Sequence, residues 1–199
     1  LVFADVTAGD IVLSADDTAQ LTGAVDVSGG GGTITANLSQ PAGSFTADNI
    51  SSAATISAST NNGDITIEGS GNLSINAISA GTAQVNITST GGSINDHASD
   101  TTADITADGI DLTAASGIGN TAAIELASAT SIAASSAGSG NIDIDHVADA
   151  STSITTIAQT GTGNILFDQT GSQALAITNN ATTAAGNLNL TTNGTFALA

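Results

Sequence analysis

Glycine returns along this chain at a fixed interval. Gly117, Gly140, Gly163 and Gly186 stand 23 residues apart, and Gly9 and Gly32 repeat the step. Most of these glycines open a short signature of one small polar residue and one aliphatic: Gly9-Asp10-Ile11, Gly32-Thr33-Ile34, Gly140-Asn141-Ile142, Gly163-Asn164-Ile165 and Gly186-Asn187-Leu188. Gly63-Asp64-Ile65, Gly71-Asn72-Leu73 and Gly92-Ser93-Ile94 share it out of step, with 31 residues from Gly32 to Gly63 and 29 from Gly63 to Gly92, a drift that loop insertions would produce. A unit of about 23 residues cannot enclose a core of its own. It has to bury its apolar side against the next copy, which is the condition for a solenoid.

Within each unit the apolar residues alternate. Ile11/Leu13, Val25/Val27, Ile65/Ile67, Leu73/Ile75, Val85/Ile87, Ile142/Ile144, Ile165/Phe167, Leu175/Ile177 and Leu188/Leu190 keep the period of two that places side chains on opposite faces of a strand. Gly29 to Gly32, Asn61-Asn62-Gly63 and Gly138-Ser139-Gly140 punctuate the runs as turns. Even the Ala-rich stretch Thr121 to Ala134 fits strand as well as helix, through Ile124 and Leu126 and its β-branched neighbours. The chain is therefore read as all-β, a right-handed parallel β-helix (β-solenoid) of roughly 23 residues per coil with loop insertions. Stacking at about 4.8 Å gives eight to nine coils and a rod of about 40 Å. Ile142, Ile144, Ile165, Phe167, Leu188 and Leu190 are expected to share one inward stack, with Gly140, Gly163 and Gly186 at a corner that needs positive φ. The acids look scattered rather than in register. Immunoglobulin-like sandwiches are the competing architecture, and they need about 100 residues per unit. With a single proline, Pro41, and no charge-run linker, residues 1–199 read as one body. Strand-like Leu1 to Val6 and Gly194 to Ala199 suggest a body uncapped at both ends, a segment of a longer rod or a filament protomer.

Charge removes several functions. There are 18 acids and no Lys or Arg, a formal charge of −18. Nucleic acids and anionic lipids would repel such a chain, and phosphate-loop chemistry lacks its lysine. No cysteine is available for disulfides or thiolate metal sites. No run reaches the roughly 18 to 20 apolar residues of a membrane span, and the first residues lack a basic leader, so an export signal would lie outside the segment or have been removed.

Candidate chemistry is sparse. Both histidines sit in Asp-His-x-x-Asp patterns, and Asp96, His97, Asp100, Asp145, His146 and Asp149 are the metal-ligand candidates. The 49 residues between His97 and His146 would set them two coils, about 10 Å, apart. That is too far to share an ion, and equivalent turns are the simpler reading. No cofactor is expected beyond dispersed calcium at carboxylates; the densest groups, Asp16-Asp17 and Asp104/Asp108/Asp111, read as solvated turns. Asp143/Asp145 is the one carboxylate pair that alternation puts on a common outward face, but with no Tyr, Trp, Lys or Arg to hold a sugar the chain is read as not an enzyme. Asn-x-Ser/Thr at Asn37, Asn49, Asn72, Asn86, Asn180, Asn189 and Asn193 is what an Asn- and Thr-rich chain shows by chance, with glycosylation an open question.

The repeats Gly140-Asn141-Ile142-Asp143-Ile144 and Gly163-Asn164-Ile165-Leu166-Phe167 resemble those of filamentous-haemagglutinin-like exoproteins, the β-helical proteins of two-partner secretion and autotransporter systems. The resemblance implies export across the outer membrane of a diderm bacterium and service as the shaft of an adhesin or surface fibre. It also implies as partners a host or neighbouring cell surface or its polysaccharide. Two alternatives stand beside it: a protomer that polymerises end to end by strand pairing and, more remotely, a β-helical polysaccharide-active enzyme.

Overall fold

A computed structural model describes residues 2–7, 10–26, 32–50 and 54–198. Gly9, Val27, Gly29, Gly30, Gly31, Leu1 and Ala199 lie outside the described residues, as does the side chain of Val25. Among the described residues there is no helix, and hence none long and apolar enough to cross a membrane.

Two parallel sheets face each other, and the chain winds between them about once every 22 residues. The first face stacks ten strands, from Val2–Thr7 through Phe45–Ile50, Ile65–Gly69, Gln84–Ser89, Gly109–Ala114 and Ser131–Ser136 to Phe196–Leu198. The second runs from Ile11–Ala15 through Thr33–Pro41, Ala54–Asn61 and Leu73–Ser79 to Ile142–Val147, Ile165–Thr170 and Leu188–Thr192. The protein is a β-solenoid.

Register puts like on like. On the second face Ile142 lies opposite Ile165 and Ile165 opposite Leu188, while Ile144 lies opposite Phe167 and Phe167 opposite Leu190. On the first face Phe45, Ile65, Val85, Ile110 and Ile132 form one continuous row. Apart from Leu188 and Leu190 these residues are buried, in an interior where Phe45 and Phe167 are the largest fully buried side chains. Narrow sheets at close spacing leave room for little else, and the chain supplies Ile, Leu, Val and Ala. Leu188 sits in its expected column, on the last described strand of this face, and is 41% exposed.

Two expectations about the repeat need correcting. The drift in glycine spacing arises mainly because the signature opens strands on both faces: Gly63 precedes Ile65 on the first, whereas Gly32, Gly71 and Gly92 precede Ile34, Leu73 and Ile94 on the second. Turns also shorten, to 20 residues from Phe45 to Ile65 and from Ile65 to Val85. Nor do Gly140, Gly163 and Gly186 serve positive φ; the described glycines that do are Gly81, Gly117, Gly119 and Gly171. A Cβ on Gly163 would collide with the carbonyl of Gly140, and one on Gly186 with that of Gly163. Close stacking of backbone on backbone is what demands glycine there.

Beside this glycine column runs an asparagine ladder. The Asn120 side-chain oxygen accepts from the Asn141 backbone N–H, Asn141 from Asn164, and Asn164 from Asn187, each at 2.9 Å. Asp10 to Thr33 and Asp64 to Gln84 repeat the bond at 3.0 Å. The repeated signature thus has a division of labour: glycine permits close approach, the polar residue bonds to the next turn, and the aliphatic enters the core.

Genuine insertions occur on the second face. Its strand is split into Ser93–Asp96 and Ile105–Thr106 in one turn and into Gly117–Ile118 and Ile124–Ala127 in the next. Asp96 pairs with Ile75 and Ile105 with Ile78, so residues 97–104 stand where the preceding turn has only Asn76 and Ala77.

Candidate functional site

The second face gathers its acids in register. Asp104 continues the strand that begins at Ile105, accepting the Glu125 N–H through Oδ2 at 3.1 Å and donating its own N–H to the Glu125 carbonyl at 2.9 Å. Glu125 pairs with Asp145, and Asp145 with Asp168. Four successive turns thus carry four carboxylates in a row, a ladder where scattered acids are expected. Like charges directly opposite each other are unfavourable, and no Lys or Arg exists to offset them.

At one end of this ladder the split strand adds a fifth acid. Register aligns Ile94 with Ile118 and Ile118 with Ile142, which sets Asp96 level with Ile144, at a position that is aliphatic in the complete strands. Asp96 faces inward and is buried. Its Oδ1 accepts the N–H of Ala98 at 2.8 Å and its Oδ2 that of Asp100 at 3.1 Å, so the carboxylate folds the start of the inserted loop around itself. Asp104 closes the loop, 3% exposed, and Glu125 is 8% exposed although it lies on the outer side of its strand. One oxygen from each of Asp96, Asp104 and Glu125 lies within 4.8 Å of the other two. Glu125 Oε2 is shielded from solvent and meets no hydrogen-bond donor. A cleft of about 160 Å³ beside it is lined by Thr101, Ala103, Glu125, Asp145, His146 and Asp168, among others.

Electrostatics follow the geometry. Burial pushes the Asp104 carboxyl up to about 8, helped by its bond to the Glu125 side chain and by the charges of Asp96 and Glu125. Burial also raises Glu125, with Asp96 and Asp145 adding to it. Asp145 is raised by partial burial and then by Asp168, and Asp143 by burial and then by Asp145. Asp100 goes the other way, lowered first by the Thr102 backbone N–H, which it accepts at 2.6 Å.

The six metal candidates are dispersed by this arrangement. Only Asp96 joins the buried cluster. His97 is exposed, its Nδ1 3.2 Å from Ser74 Oγ and 3.3 Å from Thr55 Oγ1. Asp100 shapes the inserted loop, and Asp145 belongs to the ladder. Asp149 accepts from Ser128 Oγ at 3.0 Å. His146 points into the core beside Phe167, its Nδ1 3.4 Å from Gln169 Oε1 and its Nε2 without a partner. The two Asp-His patterns are therefore not equivalent turns: Asp96 is an inward residue opposite Ile75, and Asp145 an outward one opposite Asp168.

Asp104 and Glu125 are the residues that sequence reasoning missed. Asp104 read as part of a solvated turn with Asp108 and Asp111, and it is buried; Asp108 is exposed and accepts from Thr130 Oγ1 at 2.7 Å. Glu125 had one available signal, an acid between Ile124 and Leu126 in a chain with very few glutamates. Compared with known proteins, the chain matches no family model, no curated protein and no solved structure.

Proposed function

We propose that this chain is a non-catalytic stretch of shaft in an adhesin or surface fibre exported by a diderm bacterium, akin to filamentous-haemagglutinin-like exoproteins. The observation that carries the reading is the parallel stack of turns, whose two-sheet cross-section recurs along its length and presents mostly Thr, Ser, Asn and Asp outward. Such a body adds length turn by turn, and its outward hydroxyl and amide side chains tolerate stacking of like residues. A host or neighbouring cell surface, or its polysaccharide, is the partner this reading assigns to the complete fibre. Asp143 and Asp145 share the outer side of one strand, but a groove able to hold a sugar chain would need Tyr, Trp, Lys or Arg side chains that the sequence lacks. Antibody against the chain should label intact cells of the source organism, and protease shaving should remove the label. Label that appears only after lysis would overturn export.

A second reading has its own observation. The terminal turns present apolar side chains to solvent: Val2 and Phe3 at one end, and Leu188, Phe196 and Leu198 at the other, where a groove of about 520 Å³ also includes Ile177 and Leu190. A further turn would cover either surface, whether from the same polypeptide or from another copy. Electron microscopy of the purified 199-residue chain distinguishes these: head-to-tail filaments favour a self-assembling protomer, and single short rods favour a segment of one long shaft.

A further inference from the structure

We propose that Asp96, Asp104 and Glu125 form a calcium site that fastens the inserted loop 97–103 to the solenoid. The three carboxylates come from two adjacent turns and from both ends of the loop, and all are at least nine-tenths buried. Burying clustered carboxylates without a counter-charge is costly, and buried charge is ordinarily paired or bound to metal. This chain has no Lys or Arg to pair with them. Glu125 sharpens the point: it brings an oxygen to within 4.8 Å of the other two acids, and its shielded Oε2 has no donor at all.

Ligand chemistry and size select the ion. An all-oxygen set without Cys or His suits a hard cation. Three oxygens no more than 4.8 Å apart can all be reached from one centre at about 2.8 Å or less, a reach that includes calcium–oxygen bonds of about 2.3–2.6 Å. Magnesium gives up its waters reluctantly and demands a near-ideal octahedron, so a cage of three buried carboxylates favours calcium. The Asp96 oxygens, although they accept backbone N–H groups, keep lone pairs for a metal. Water entering from the cleft beside Glu125 can complete the six to eight ligands that calcium takes.

The test is calorimetric titration of calcium into the EDTA-treated 199-residue chain at about 0.15 M NaCl, where diffuse attraction to its surface charge is screened. One equivalent should bind, and saturating calcium should raise the thermal midpoint. Glu125→Gln and, separately, Asp104→Asn should each weaken binding about tenfold or more, and magnesium should bind at least about tenfold more weakly than calcium. Asp108→Asn, an exposed acid outside both the cluster and the cleft, should leave the affinity within about twofold. Far-UV circular dichroism establishes that each variant is folded. Should Asp104→Asn fail that check, Glu125→Gln decides, because the amide has the same volume and lies on the outer side of its strand. Absence of binding with no thermal shift, several weak equivalents, or equal weakening by Asp108→Asn would each overturn the site, leaving a carboxylate cluster that holds protons instead.

Discussion

Gly163 illustrates how little freedom a stacked corner leaves. Its backbone sits against the Gly140 carbonyl, and Gln159 approaches from the side. Gly163→Ala should cost about 1–3 kcal/mol, the usual penalty for forcing backbone apart in a packed structure. Chemical denaturation would measure it, and a variant as stable as the parent would mean that the turns are spaced more loosely than described. His146 offers a different probe. Burial holds its pKa below the ordinary 6.5, against the opposing pull of Gln169 and Asp149, and the ring is packed near Phe167. The folded state therefore favours the neutral ring. As pH falls below about 6.5 the unfolded chain takes up a proton that the folded one refuses, so the His146 contribution is complete above that pH and drains away below it. His146→Leu, which copies Leu126 in the adjacent turn, should remove this part of the pH dependence. The melting midpoint of the variant relative to the parent should be constant above pH 7 and climb toward pH 5. A constant offset across the range would place the ring in water.

Strands on the second face carry the electrostatic burden. Glu125, Asp145 and Asp168 lie opposite one another, and repulsion of this kind costs about 0.2–1 kcal/mol per pair where the charges are exposed. Asp168→Asn should therefore raise the melting midpoint by about 1–3 °C near 10 mM NaCl, in EDTA, and the gain should vanish near 1 M NaCl, where the screening length is about 3 Å. A gain that persists at high salt would point to packing rather than charge. The first interrupted strand fits the same logic. A polar loop can leave the face wherever an inward position, here Asp96 opposite Ile75, is no longer aliphatic. The loop then brings Asp96 and Asp104, at its two ends, to lie beside Glu125.

At the scale of the whole solenoid, period-two alternation and a repeat in the twenties were enough to specify strands, parallel stacking and an aliphatic interior, because each of these follows from short-range pattern and from the inability of one turn to bury itself. Ile142, Ile144, Ile165 and Phe167 are buried where alternation places them. The candidate site was barely legible. Asp96 was visible as an acid next to a histidine, but its inward orientation depends on pairing with Ile75, 21 positions earlier. Glu125 is buried, and it shares a cleft with Thr101 and Ala103 of the loop that leaves the sheet one turn before it; the face to which each glycine signature belongs was hidden by identical wording on both faces. Local pattern says which residues avoid water; which acids meet is a matter of register between turns, and register is set by loop lengths and stacking contacts that span some twenty residues.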